Sequence, residues 1–174
     1  AVPYGIASRS KEKAEAFASK WGFINSFGSY QELIDNPDVD IIYIGVPHSH
    51  HFETAMAAVQ AGKHVLCEKP LTVNAKQGKE LTEAAGRKGV FFMEALWTRF
   101  HPHFLKLKEL IDSGEPGEIR YVNCDFAFFR EPDPKGRLFN PDLAGGALLD
   151  IGIYTLFMLT EILGYPMEWH STMD

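Results

Sequence analysis

Two rhythms of apolar and polar residues alternate along the chain. Short unbroken apolar runs mark buried strands. Between them, apolar residues return every third or fourth position, as in helices with one face inward. "VPYGIAS" reads as a strand ending at Ser8. The next segment reads as a helix with Ser10 as N-cap, apolar positions Ala14, Phe17, Ala18 and Trp21, and Gly22 as its stop. "YQELID" is a short helix closed by Asn36-Pro37. "VDIIYIGV" has the continuous apolar character of a strand buried on both faces. A helix follows with Phe52, Ala55, Met56 and Val59 on one face, ending at Gly62. "KHVLCE" is a strand, "NAKQGKELTEAAGRKG" a helix with a charged face, and "VFFMEAL" a short buried strand.

Helices between successive buried strands require right-handed parallel crossovers, so the fold class is α/β, a partial Rossmann-type doubly wound parallel sheet. After Leu96 the pattern changes. A helix covers about Pro102 to Ile111, and Gly114 to Gly117 break it. "EIRYVNCDFAFF" alternates Val122, Cys124, Phe126 and Phe128 against Tyr121, Asn123, Asp125 and Ala127. That predicts a long strand with one mixed face, the start of an α+β domain with an open, mostly antiparallel sheet. A loop rich in Pro, Gly and Asp runs from Arg130 to Asp142, and an almost wholly apolar helix, expected to be buried, covers roughly Gly146 to Leu163. The domains are read as 1–96 and 97–174, each partial: a lone strand completes no sheet, and no G-x-G-x-x-G turn opens the nucleotide fold. The sequence therefore reads as a fragment of a longer protein.

Composition removes several function classes. Of 174 residues, 45% are hydrophobic and 23% charged, ordinary globular usage, and the net charge of −6 disfavours a nucleic-acid partner. Cys67 and Cys124 form no disulfide framework, which favours a reducing, cytoplasmic compartment. No stretch reads as long and apolar enough to cross a bilayer, and the first residues show no secretory signal. No membrane partner is expected.

Candidate chemistry gathers where strands end, the edge at which parallel α/β sheets bind ligands. "GVPHSHH" places His48, His50 and His51 in the turn after a buried strand. No Cys or acidic cluster joins them, so the metal reading is set aside, and His50 is equally a solvated turn residue capping the helix. Glu68-Lys69-Pro70 ends the next strand. Pro70 holds Lys69 on extended backbone, with a bond open to the cis form, and Glu68 is placed to orient the ammonium. Such a lysine beside a cofactor can donate or accept a proton, although the pair also reads as a surface ion pair. Ser8 and Arg9 follow the first strand, where dinucleotide folds read the adenosine ribose. No acid stands there, and an Arg suits a 2′-phosphate, which favours NADP over NAD.

On the last helix, Asp150 and Tyr154 are four apart and share a face. A carboxylate in so apolar a helix needs a partner, and a phenol one turn away can pass a proton to a carbonyl oxygen. A structural Asp–Tyr hydrogen bond is the plainer reading. Gly145, Gly146 and Gly152 permit close approach. Glu94, Trp97 and Arg99 lie where the first domain gives way to the second, with Arg99 serving a cofactor or pairing with an acid.

The stretches "ASRS", "GVPHSHH", "CEKP", "EALWTRFHP" and "GGALLDIGIY" occur in the order found in the Gfo/Idh/MocA oxidoreductases, which the chain resembles across nearly its whole length. The pairing of "EALWTRF" with "DIGIY" is similar to the branch of dimeric dihydrodiol dehydrogenases and NADP-dependent xylose dehydrogenases. The resemblance implies a Rossmann domain followed by a domain whose open sheet holds substrate and often a partner subunit. It implies cofactor contacts by Ser8, Arg9, Val46, Pro47, His48, His51, Glu68, Lys69, Trp97 and Arg99, with Lys69 beside the nicotinamide. Val46 and His48 depart from the family's Thr and Asn. Tyr154 replaces the usual His as acid/base, beside Asp150. The expected activity is hydride transfer between NADP and a carbinol or carbonyl carbon of a sugar, such as D-xylose, or of a cyclic trans-dihydrodiol, in a homodimer or higher oligomer. Lys69 and Tyr154 are expected to serve the same reacting carbon. The rival readings are a cofactor-sensing regulator without turnover, an inactive truncated fragment and a histidine-rich metal protein.

Overall fold

In the computed structural model, which describes residues 1–172, the first of two compact units, Ala1–Ala95, alternates strands with helices. Its order is β1 (Gly5–Ala7), α1 (Lys11–Trp21), β2 (Asn25–Phe27), α2 (Tyr30–Ile34), β3 (Ile41–Ile44), α3 (His51–Gln60), β4 (His64–Glu68), α4 (Ala75–Lys88) and β5 (Phe92–Ala95). A 3₁₀ turn, His48–His50, leads into α3. β1 pairs with β2 in one sheet, and β3, β4 and β5 lie in that order in a second; all pairings are parallel.

Local chemistry sets the helix limits. The side chains of Ser10, Ser29 and Asn74 accept backbone N–H bonds from Lys13, Glu32 and Gln77, capping α1, α2 and α4. Gly22 and Gly89 end α1 and α4 in the left-handed region, which glycine enters without steric cost. Ile42, Ile44, Val65 and Cys67 form the floor of the core, against Ala55, Ala58 and Val59 of α3 and Leu81, Ala84 and Ala85 of α4.

Three expectations for this unit change. β2 was not anticipated, because "NSF" is too short and polar to show a period; parallel pairing with β1 holds it, Ser26 opposite Ile6. β1 is shorter than its apolar run. β3 is buried on one face only: Ile42 and Ile44 are 6% and 2% exposed, whereas Ile41 and Tyr43 are 50% and 59% exposed. α3 and α4 cover one side of this sheet, and among the described residues no helix covers β3 on the other.

The second unit, Leu96–Asp174, contains α5 (Pro102–Asp112) and α6 (Ile153–Leu163). Short 3₁₀ turns span Trp97–Phe100 and Pro141–Leu143, and a π-helical turn, Leu148–Gly152, opens α6. Its core is Leu96, Phe104 and Phe157, with Ile153, Tyr154 and Met158 packed against them. The predicted strand over 118–129 has no pairing partner among the described residues, so it is extended chain rather than part of an antiparallel sheet. The helix expected over roughly Gly146 to Leu163 is half-buried, not buried: Phe157 is enclosed, but Leu148 is 66% and Leu163 50% exposed. The expectation that no stretch has membrane-spanning length and apolarity is also corrected, since the helical run Pro141–Leu163 has both. Asp150 lies within that run, ion-paired and 5% exposed.

Candidate active site

The first cluster is built from the carboxyl ends of neighbouring strands. Register pairs Ile44 with Cys67 and Glu68 with Ala95, so the turns after β3 and β4 are adjacent. His51, the first residue of α3, is wholly buried between them. Its Nδ1 lies 2.7 Å from the Pro70 carbonyl oxygen and its Nε2 2.9 Å from that of Val46. Glu68 accepts the Lys69 backbone N–H at 3.2 Å, and Glu94 accepts the Leu71 N–H at 2.7 Å. Three side chains thus fix three consecutive backbone positions, Lys69 to Leu71. The Lys69–Pro70 bond is cis.

The Tyr43 hydroxyl donates to the second oxygen of Glu68. Burial, then the Glu68 hydrogen bond and charge, push the phenol up to about 12. Burial, reinforced by Glu94 and Glu68, also pushes the Cys67 thiol up to about 12. Cys67 is fully enclosed and behaves as a small hydrophobe.

Ser8 and Arg9 lie at the carboxyl end of β1. Ser8 Oγ accepts the Ser10 N–H at 3.3 Å, shaping the turn, and Arg9 is exposed. Pro47 precedes the 3₁₀ turn, and His48 is buried edge-on to the His51 ring at 5.6 Å between centroids. His50 is exposed and makes no side-chain cap. One expected cofactor contact is reassigned, and Arg99 has the acid partner that was its other reading. His51 has both ring nitrogens against backbone carbonyls and no exposed surface, so it holds turns together rather than touching a ligand. Arg99 donates to Glu161 at 2.8 Å and lies 4.8 Å over the Phe157 ring, so its guanidinium is engaged by α6. Among the described residues, no group of three His, Cys, Asp or Glu side chains is arranged to hold a metal.

The second cluster surrounds Tyr154, one turn beyond Asp150 on α6. Trp97 Nε1 donates to the Tyr154 hydroxyl oxygen at 3.1 Å. Phe126 meets the Tyr154 ring edge-on at 5.4 Å. Asp150 is buried and accepts from Arg137 Nη1 at 2.9 Å. A donor aimed at the phenol oxygen stabilises negative charge developing there, and an ion-paired carboxylate holds the start of the helix in place.

Sequence reasoning did not single out Arg137, Phe126 or Tyr43. A buried Asp150 was expected to need a partner, and Tyr154 was the plainer choice; its partner is Arg137. Tyr43 was hidden inside an apolar run.

A parallel strand–helix layer with built turns at its carboxyl ends is a nucleotide-binding architecture. Residues 2–96 match the NAD-binding Rossmann fold of the oxidoreductase family, and residues 104–174 match the family's C-terminal domain; the chain belongs to the Gfo/Idh/MocA oxidoreductase family. It is 42% identical to the NADP(+) D-xylose 1-dehydrogenase of Hypocrea jecorina, over 90% of this chain and 43% of that protein. It is 40% identical to the trans-1,2-dihydrobenzene-1,2-diol dehydrogenase of Danio rerio, over 94% of this chain and 48% of that protein. The chain therefore spans about half the length of the curated relatives it matches. Among solved structures, a 3-ketoreductase from Actinomadura kijaniata, in complex with NADP and TDP-benzene, superposes with a TM-score of 0.80 at 35% identity, covering 92% of this chain and 49% of that one. Levoglucosan dehydrogenase, in complex with NADH and levoglucosan, gives a TM-score of 0.82 at 32% identity, covering 94% and 45%.

Proposed function

We propose that the protein is an NADP-dependent oxidoreductase that interconverts a secondary alcohol and a carbonyl on a sugar or a cyclic diol. The observation that carries this reading is the Tyr154 hydroxyl, held by the Trp97 N–H one helical turn from the buried, ion-paired Asp150. A bound nicotinamide cofactor supplies the hydride acceptor. In the oxidative direction the substrate hydroxyl gives its proton to the Tyr154 oxygen as its carbinol C–H bond breaks, and the proton then passes to solvent. The Trp97 N–H stabilises charge on that oxygen, and Asp150 fixes the turn from which Tyr154 projects.

The residues at the strand ends fit a phosphorylated dinucleotide. Arg9 is exposed at the end of β1 and no carboxylate stands at Ser8 or Arg9, as a 2′-phosphate needs. The backbone of Lys69 is fixed at three consecutive positions, as a proton-handling or charge-stabilising ammonium requires. D-xylose and trans-dihydrodiols are the substrate classes named by the two curated relatives.

The same reading takes the protein to act in the cytoplasm as a homodimer or higher oligomer. The two free cysteines support the compartment, and the exposed Tyr121, Phe126, Phe128 and Phe129 support a covered face in the assembly. The test is NADPH and NADH fluorescence titration of the purified protein, followed by reduction of NADP with pentoses, hexoses and a trans-dihydrodiol. Tighter NADPH binding and turnover of one substrate class are expected. Binding without turnover of any of these would assign a sensor role instead, and no binding of either cofactor would reject the reading.

A further inference from the structure

We propose that Arg137 is a positioning residue for the proton path, acting through Asp150 on Tyr154, and that the glycine pair Gly145-Gly146 serves to deliver it. The proposal rests on the oxidoreductase reading for its chemistry, but its geometry stands on the loop itself.

Arg137 is 13 residues before Asp150 in sequence, yet its Nη1 reaches Oδ1 at 2.9 Å. The intervening chain is folded back on itself. Asn140 N–H donates to Gly136 O at 2.9 Å, Gly145 N–H to Asn140 O at 3.0 Å, and Gly146 N–H to Leu138 O at 2.9 Å. Asn140 Oδ1 accepts the Asp142 N–H at 2.9 Å, bracing the tip. This return brings backbone onto backbone. A Cβ at Gly145 would lie 2.7 Å from Arg137 O and 2.9 Å from Asn140 O, closer than atoms pack. Gly146 adopts a φ of 127°, which side-chain-bearing residues rarely reach. Both glycines are therefore required for the loop to close with Arg137 facing the helix.

Asp150 sits in the π-helical turn Leu148–Gly152, whose backbone is anchored to the same loop by the Asp150 N–H bond to Gly146 O at 3.1 Å. π-turns inside helices are characteristic of functional sites, where they re-aim side chains. The Asp150 side chain is 7% exposed, so its charge depends on a partner, while the Arg137 side chain remains 58% exposed. Tyr154 is the next residue on that face. A cation that fixes Asp150 fixes the turn from which the phenol projects.

The experiment compares Arg137→Ala, Arg137→Lys, Gly145→Ala, Asp150→Asn and the Arg137→Ala/Asp150→Asn pair in the purified protein. Arg137→Ala is expected to lower kcat roughly 10- to 100-fold with the KM for NADP within about twofold, and to move the pH–rate profile. Arg137→Lys should recover part of the loss. Gly145→Ala should reproduce the loss with the arginine intact. The double variant should be no slower than Asp150→Asn alone. A change in melting temperature with kcat and pH profile intact would overturn the proposal, as would additive losses in the pair. Absence of turnover in the unaltered protein would reject the oxidoreductase reading instead. Ultraviolet titration of the Tyr154 phenol, with Tyr154→Phe as blank, then decides the positioning role: a titration moved by Arg137→Ala supports it, and one left unmoved overturns it.

Discussion

His51 joins the turn after β3 to the turn after β4 by standing between two carbonyl oxygens, that of Pro70 at 2.7 Å and that of Val46 at 2.9 Å. A neutral imidazole carries one N–H and donates to one of them, while the protonated ring donates to both. The sequence reading placed His51 against the cofactor. The structure makes it the strut behind the residues that would be.

Removing that strut has a definite consequence. His51→Ala leaves a cavity and removes the ring from between two carbonyls, costing about 3 kcal/mol of stability. Urea unfolding measures the loss. His51→Asn keeps a polar group at the site and should cost less. NADPH affinity is expected to fall at least about tenfold in the alanine variant, because the Lys69 to Leu71 backbone loses one of its three holds. Unchanged affinity in a folded His51→Ala protein would show that Glu68 and Glu94 hold the turn without it.

The buried thiol sets an alkaline limit. Burial, the largest cause, pushes the Cys67 thiol up from its ordinary 9.0 to about 12. The folded value is raised, so the contribution is complete below pH 9.0 and is lost as the pH rises toward about 12. Tyr43, raised from 10.0 to about 12, acts in the same direction over the upper part of that window. Urea midpoints should therefore fall as the pH rises from ~9 toward ~12, and Cys67→Ala should flatten the fall. A thiol reagent should label Cys124 before Cys67 in the native protein. Rapid labelling of both would contradict the burial of Cys67.

The parallel layer was legible because its signals are local. Serine and asparagine caps, left-handed glycines and apolar runs each act within a few residues, and α1, α3, α4, β4 and β5 follow from them. The exposed side of β3 was not legible, since an apolar run reads the same whether one face or two are covered. Nor was the fate of 118–129: alternation specifies a strand's faces, while pairing depends on partners elsewhere. At the site, Lys69, Asp150 and Tyr154 stood out by residue type and spacing. His51 was misread because a hydrogen-bonding side chain beside a motif looks identical whether it faces a ligand or its own backbone. Arg137 was not legible: Asp150 called for a partner, but a contact across a loop whose return is set by Gly145 leaves no local signal.

Trp97 offers a clean separation of shape from hydrogen bonding. Its ring stands edge-on to Tyr154 at 6.4 Å between centroids, and its N–H reaches the phenol oxygen. Trp97→Phe keeps an aromatic edge and deletes the donor. It is expected to lower kcat about tenfold with little change in cofactor affinity, since the lost bond acts where charge develops. Trp97 is 58% exposed, so the melting temperature should move little. A variant with unchanged kcat would restrict Trp97 to packing.

Lys69 poses the sharpest question, because a lysine at a nucleotide edge can bind, stabilise charge or move a proton, and these roles separate by substitution. Lys69→Met retains most of the side-chain length and removes the ammonium. If the ammonium acts in the chemical step, kcat falls about 100-fold or more while the Kd for NADPH stays within about threefold. Equal losses in both would assign Lys69 to binding alone. Lys69→Arg then divides the remaining roles. A guanidinium keeps the charge but does not release its proton, so recovery by arginine marks an electrostatic role and persistent loss marks proton transfer. Glu68, Glu94 and His51 hold the backbone beneath this residue, so the turn itself should survive all three side chains at position 69. That makes the kinetic differences among them a measure of the head group.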